Sequence, residues 1–342
     1  MKKPLTALVA GGVALVMATA NAAAQAPPPP TAVNGAAVTT VGHVDGTPTA
    51  IALDSATNTV FVANGPNEQT GKGGGITAFT PGAPAGAQVP GVNGMLFGLV
   101  GDGKGTFYAS VFTGKAGSIV ALSQWNGTSF GSVKTIFNAA KTVGAVNGLA
   151  IGPDGRLYGG AALNIDVNKK GKLAKKIPYP DPFTVFSINT DGSGFKVVSR
   201  GLRQPFQMTF PSGATSPYVT VLSQDAGKIP PDAIVVAKQG TNFGFPGCFL
   251  KVGIACKKHK TYGKALVSFP DHTSPMGIGS LGDTLYVALF GKMEVDTIPV
   301  AGGKPTPFLT KFAAPVVATN VLEGSLYSGD LTGTIYKVVL SS

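Results

Sequence analysis

The sequence predicts an all-β fold, a six-bladed β-propeller of four-stranded antiparallel blades. Three observations predict it: short strand-like runs closed by turn residues, little charge to solvate long helices, and a repeat with the period of a blade. The chain holds 48 glycines and 26 prolines in 342 residues, and only 13% of it is charged. Its valine, threonine and aromatic runs are short and end in Gly, Asp or Asn, as strands and turns do.

The repeat is an apolar segment, a turn with Gly or Asp, then a strand with an aromatic near its start. Six copies place that aromatic at Phe61, Tyr108, Tyr158, Tyr218, Tyr286 and Tyr327, at intervals of 47, 50, 60, 68 and 41 residues. Propeller blades recur every 40–50 residues or so. The two long intervals hold insertions, expected at 164–182 and 227–272. A blade cannot bury both faces alone, so neighbours stacked about an axis make the core. Segments 75–79, 118–122 and 184–188 are outer-strand candidates, and 334–338 closes the chain. The first and last repeats are the least regular, which leaves five or seven blades as alternatives, and a β-sandwich as the other architecture. Gly73-Gly-Gly75 opens no helix and reads as a blade connection rather than a phosphate cradle.

Residues 1–26 read as a signal peptide. Met1-Lys2-Lys3 is followed by an apolar, small-residue run to Ala20, and Ala20-Asn-Ala22 and Ala24-Gln-Ala26 fit the small-x-small cleavage pattern. Pro27 to Pro30 then break any helix. A retained anchor is the alternative, but the run is short for a span and no second one follows. Residues 27–40 are expected as a Pro/Ala-rich linker and 41–342 as one propeller domain, periplasmic or secreted.

Net charge is +11, falling to +9 if Lys2 and Lys3 leave with the signal. Much of it sits at Lys169, Lys170, Lys172, Lys175 and Lys176, and at Lys257, Lys258 and Lys260. Neither group has interleaved aromatics or a nucleic-acid motif, so both read as solvated loops and nucleic acid is not an expected partner. Cys248 and Cys256 are the two cysteines, and in an oxidising compartment a disulfide between them is the natural assignment. A metal site with His259 is the weaker alternative. Trp125 reads as a hairpin-edge residue, and Asp232 as a cap on local backbone amides.

Several ordered motifs resemble the glucose/sorbosone dehydrogenases. Gly201-Leu-Arg-Gln-Pro205 is similar to their Gly-Leu-Arg-Asn-Pro core. Pro230-Pro-Asp-Ala-Ile234 and Gly240-Thr-Asn-Phe-Gly-Phe-Pro-Gly-Cys248 follow in family order. His272-Thr-Ser-Pro-Met-Gly277 resembles an element of the sorbosone and pyranose dehydrogenase branch. The likeness spans about residues 145–340. It implies pyrroloquinoline quinone (PQQ) with Ca²⁺ oxidising a sugar or other polyol, the quinone taking the hydride and a histidine the hydroxyl proton.

Carried over by position, Arg203, Gln204 and Lys292 would hold the quinone. Asp225 and the carbonyl of Gly227 would hold calcium, for which hard oxygen donors are suited. The family's catalytic histidine falls at Gly144, which accepts no proton, and Gln204 replaces an asparagine. Late basic positions fall at the apolar Phe290 and Met293. Among His43, His259 and His272, the last stands in a matched motif and is the candidate base. The departures define the other expectation, a non-catalytic binding or scaffold propeller. A propeller hydrolase is disfavoured, because the sequence shows no His–Asp pairing.

Overall fold

The computed structural model describes residues 28–340, apart from 68–70, 72, 84, 115–116, 162, 169–171, 174, 226–230 and 251–261. The expected signal peptide lies outside them. Six antiparallel sheets follow one another along the chain. Their inner strands are Gly46–Asp54, Met95–Gly101, Val146–Ile151, Gln204–Thr209, Pro275–Leu281 and Val316–Leu322, defining blades 1 to 6. Each inner strand touches the next, and the sixth touches the first, so the ring is closed. This is a six-bladed propeller.

All six repeat aromatics lie on the second strand of their blades, for example Phe61 on Thr59–Pro66 and Tyr327 on Ser325–Asp330. The candidates at 75–79, 118–122 and 184–188 fall on third strands, with a further strand outside each. The ring is fastened by the N-terminal segment. Val38–His43 pairs antiparallel with Thr334–Val339 as the outer strand of blade 6, in register Val38 with Val338. Thr31–Ala32 adds a fifth strand to blade 5. The stretch read as a linker therefore carries part of the closure. Two residues of pairing and a half-polar strand give little periodicity to detect from sequence.

The expected insertion at 227–272 is also subdivided. It contains the third and outer strands of blade 4, Asp232–Val236 and Val267–Phe269, with the excursion between them. The third strand packs on both faces, Ile234 toward blade 5 and Val235 toward blade 3.

The core lies between blades. Phe61, Leu96, Phe107 and Leu122 pack together across blades 1 and 2, and Met276, Tyr286, Val316 and Leu326 across blades 5 and 6. Each such fully buried side chain contributes about 1.5–3 kcal/mol. Trp125 joins the first of these clusters, edge-on to Phe61 at 4.9 Å, so it packs rather than presenting a platform.

Near the axis, inner-strand carbonyls need donors because buried backbone groups are costly to leave unpaired. Neighbouring blades supply them. Thr49 Oγ1 donates to Leu96 O (2.7 Å), Asn147 Nδ2 to Pro205 O (2.8 Å) and Thr220 Oγ1 to Met276 O (2.7 Å). Gln207 of blade 4 reaches across the axis, its Nε2 donating to Thr49 O at 3.0 Å and Phe97 O at 2.5 Å. One side chain thus ties three blades together beside the space described next.

Candidate functional site

The first ends of the inner strands and the last ends of the second strands gather at one end of the axis, around a cavity of about 580 Å³. Its two sides differ in chemistry. Blades 1 and 2 present Met95 and Phe97, with Thr47 and Thr49 between them. Blades 4 and 5 present Arg203, Gln204, Asp225, Asp232, His272 and Ser274. Phe206, Met276 and Phe290 complete an apolar wall on that side.

Arg203 precedes the inner strand of blade 4. The segment before it is held firmly: Phe243 N donates to Arg200 O (2.8 Å), Phe245 N to Gly201 O (3.0 Å) and Leu202 N to Phe183 O (3.0 Å). The Gly240–Cys248 motif therefore acts as a splint for the Gly-Leu-Arg-Gln motif. Arg203 itself is 2% exposed. Its Nη1 donates to Ser223 O and its Nη2 to Asn164 Oδ1. The same Nη2 lies 2.7 Å from Asp166 Oδ1 and 3.6 Å from Asp225 Oδ2. One cation is thus shared by two carboxylates, which supply the counter-charge that a buried guanidinium needs.

Asp232 is 3% exposed, and both of its oxygens are used. Oδ1 accepts from Ser223 N and Oδ2 from Ser274 N, each at 2.7 Å. Burial raises its pKa above the usual carboxylate value, with Asp225 adding to the rise, while those two amides and His272 act against it. His272 is the open member of the group, its side chain 63% exposed, with Nδ1 3.9 Å from Asp225 Oδ1. That His–Asp approach joins segments far apart in the chain, so the sequence alone gave no sign of it.

No protein-family model matches the chain, and no curated protein does. Solved structures do match. The PQQ-bound aldose sugar dehydrogenase of Streptomyces coelicolor has a TM-score of 0.69 and 20% identity, covering 91% of this chain and 99% of its own. The apo-form soluble aldose sugar dehydrogenase of Escherichia coli scores 0.68 at 15% identity, covering 88% and 99%. A gluconolactonase of Xanthomonas campestris scores 0.60 at 13% identity, covering 92% and 95%. The chain has the fold of the aldose sugar dehydrogenases. At these identities the likeness is one of architecture, and function must be argued from the site.

Within this sugar-dehydrogenase-like fold, four expected residues meet at one rim: Arg203, Gln204, Asp225 and His272 all line the cavity. Lys292 is not among the lining residues. Its Nζ lies 3.3 Å from Asp296 Oδ2, and only its neighbours Phe290 and Gly291 reach the cavity. Gly227, Cys256 and His259 lie outside the described residues; Cys248 is buried at 1% exposure.

Gly144 is settled by packing. It adopts a φ of +90°, and a Cβ placed there would lie 2.3 Å from Cε2 of Tyr179. The loop between the second and third strands of blade 3 folds back to put that ring there, with Asp181 N donating to Thr142 O at 3.1 Å. A side chain at 144 has neither the backbone conformation nor the room it needs.

Proposed function

We propose that the protein is an exported, sugar-dehydrogenase-like propeller that binds a small polyol of the aldose class in its axial cavity, without the quinone chemistry of that fold. The observation that carries this reading is the charge balance of the rim. Aromatic and thioether walls beside Arg203, Gln204, Asp225 and His272 suit a ligand with apolar faces and hydroxyl edges, the usual make-up of a small-molecule site.

PQQ fits the described residues poorly. The quinone is a tricarboxylate, and the one guanidinium on the cavity is already matched by Asp166 and Asp225. Asp225 and Asp232 add negative charge on the same side, so burying the cofactor leaves carboxylates without counter-charge, which is costly. For calcium, the expected carbonyl of Gly227 lies outside the described residues. Tyr179 stands where the histidine expected from the family would project.

The same reading places the mature chain in the periplasm or outside the cell, with Cys248 and Cys256 joined. Among the described residues no helix is long and apolar enough to cross a membrane.

The test is a pair of titrations on the mature protein, one with D-glucose and one with PQQ plus Ca²⁺, following thermal midpoint and quinone absorbance. A ligand at 100 times its dissociation constant stabilises the fold by about 2.7 kcal/mol. The expected result is a saturable shift with the sugar and none with the quinone. Calcium-dependent, saturable quinone binding would overturn the reading and make His272 the first residue to test as a proton acceptor.

A further inference from the structure

The turn from His272 to Ser274 is strained and gripped from two sides. His272 has a φ of +62° and Ser274 of +50°, a region uncommon for L-residues, which histidine enters more readily than serine. From one side Asp232 Oδ2 takes the Ser274 amide at 2.7 Å. From the other, Phe290 N donates to Ser274 O at 3.1 Å and Gly291 N to Thr273 O at 3.0 Å. Gly291 comes so near that a Cβ on it would lie 2.3 Å from His272 O. Backbone strain persists only where the surroundings over-determine it, and such places cluster at functional sites.

The other oxygen of Asp232 holds the Ser223 amide, two residues before Asp225. We propose that Asp232 is the positioning residue of the cavity rim: its carboxylate ties the blade 4 segment carrying Asp225 to the strained turn carrying His272, and so fixes the two ligand-facing groups relative to each other. This deepens the reading of the cavity as a polyol site and rests on it for the ligand. Asp232 is 3% exposed and each of its oxygens accepts a backbone amide, so its part is to hold the rim. Its effect passes through Asp225 and His272, whose side chains are 51% and 63% exposed.

Asp232→Asn is the informative change. An asparagine offers one acceptor oxygen and turns N–H donors toward the second amide, so one of the two bonds must be lost. Residue-resolved hydrogen exchange on the wild-type mature chain should show the Ser223 and Ser274 amides among the slow ones despite their place in connecting segments. In Asp232→Asn at least one should exchange tenfold faster or more, while amides of the blade 6 second strand keep their rates. The dissociation constant for D-glucose should rise at least tenfold.

Fast exchange of both amides in the wild type overturns the clamp even if the variant does not fold. Faster exchange spread evenly over all blades overturns it too, since that is loss of global stability. Local loosening with unchanged D-glucose affinity overturns the positioning role. If the wild type binds no D-glucose, the polyol reading fails, and the exchange result still decides whether Asp232 is a clamp.

Discussion

On the blade 4 and 5 side of the axial cavity, charges are matched: Arg203 with Asp166 and Asp225, Asp232 with the amides of Ser223 and Ser274. On the blade 1 and 2 side, Met95 and Phe97 face the same space with no ionisable neighbour on the lining. From blade 3, Asn164 reaches the lining as a partner of Arg203, while Tyr179 packs against Gly144. One architecture can thus gather the ionisable groups of its cavity lining into a single sector. In that sector each buried charge constrains the next, whereas the opposite wall is free to vary in shape. At Gly144, blade 3 fills the space beside the backbone with the Tyr179 ring.

The largest effect should come from breaking the matched sector. Arg203→Met removes the cation shared by two carboxylates and leaves Asp166, which is 23% exposed, without its closest partner. Stranding a partly buried charge in this way costs about 3 kcal/mol, read as a drop in urea-unfolding free energy. A loss below about 1 kcal/mol would place these pairs with ordinary surface ion pairs instead.

A smaller effect tests the packed side. Gly144→Ala meets both the left-handed backbone and the Tyr179 ring, and should cost about 2 kcal/mol. In a Tyr179→Ala background the steric part disappears, so the same change should cost about 1 kcal/mol, that of the backbone alone. A double-mutant cycle measures the difference. Equal costs in the two backgrounds would show that the ring yields freely, and that blade 3 is not closed by packing.

Much of the architecture was legible because it repeats. The six aromatics mark six second strands, since each sits at the same depth of a blade and meets the same packing demand. The closing strand Val38–His43 was not legible, because its partner lies about 300 residues away and its half-polar face shows no clean alternation. At the site, Arg203, Gln204 and His272 could be picked out by motif and Asp225 by position, and the cavity does unite them. Lys292 was also chosen by position, and four residues further on Asp296 offers it a nearer partner. Two elements of the site were missed entirely. Asp166 lies in an insertion with no motif, and Tyr179 acts only through a loop that folds back on Thr142.

Asp296 gives the smallest of the three effects, and it sharpens the contrast from within the charged sector. Unlike Asp232, it has one oxygen 3.3 Å from Lys292 Nζ and another with no hydrogen-bond partner among the described residues, though it is fully buried. Burial raises its pKa above the usual range, and Lys292 offsets this only in part. A carboxyl raised in this way binds its proton more tightly folded than unfolded. Its stabilising contribution is therefore complete below the unfolded value of about 4 and is lost as the pH rises through the folded one. Asp296→Asn has no such titration, so its stability relative to wild type should improve between pH 4 and pH 7, as followed by urea unfolding at each pH. The opposite slope would mean that the pair with Lys292 outweighs burial. In that case the turn at Phe290–Lys292, and the Gly291 grip on His272, would depend on this ion pair as well as on Asp232.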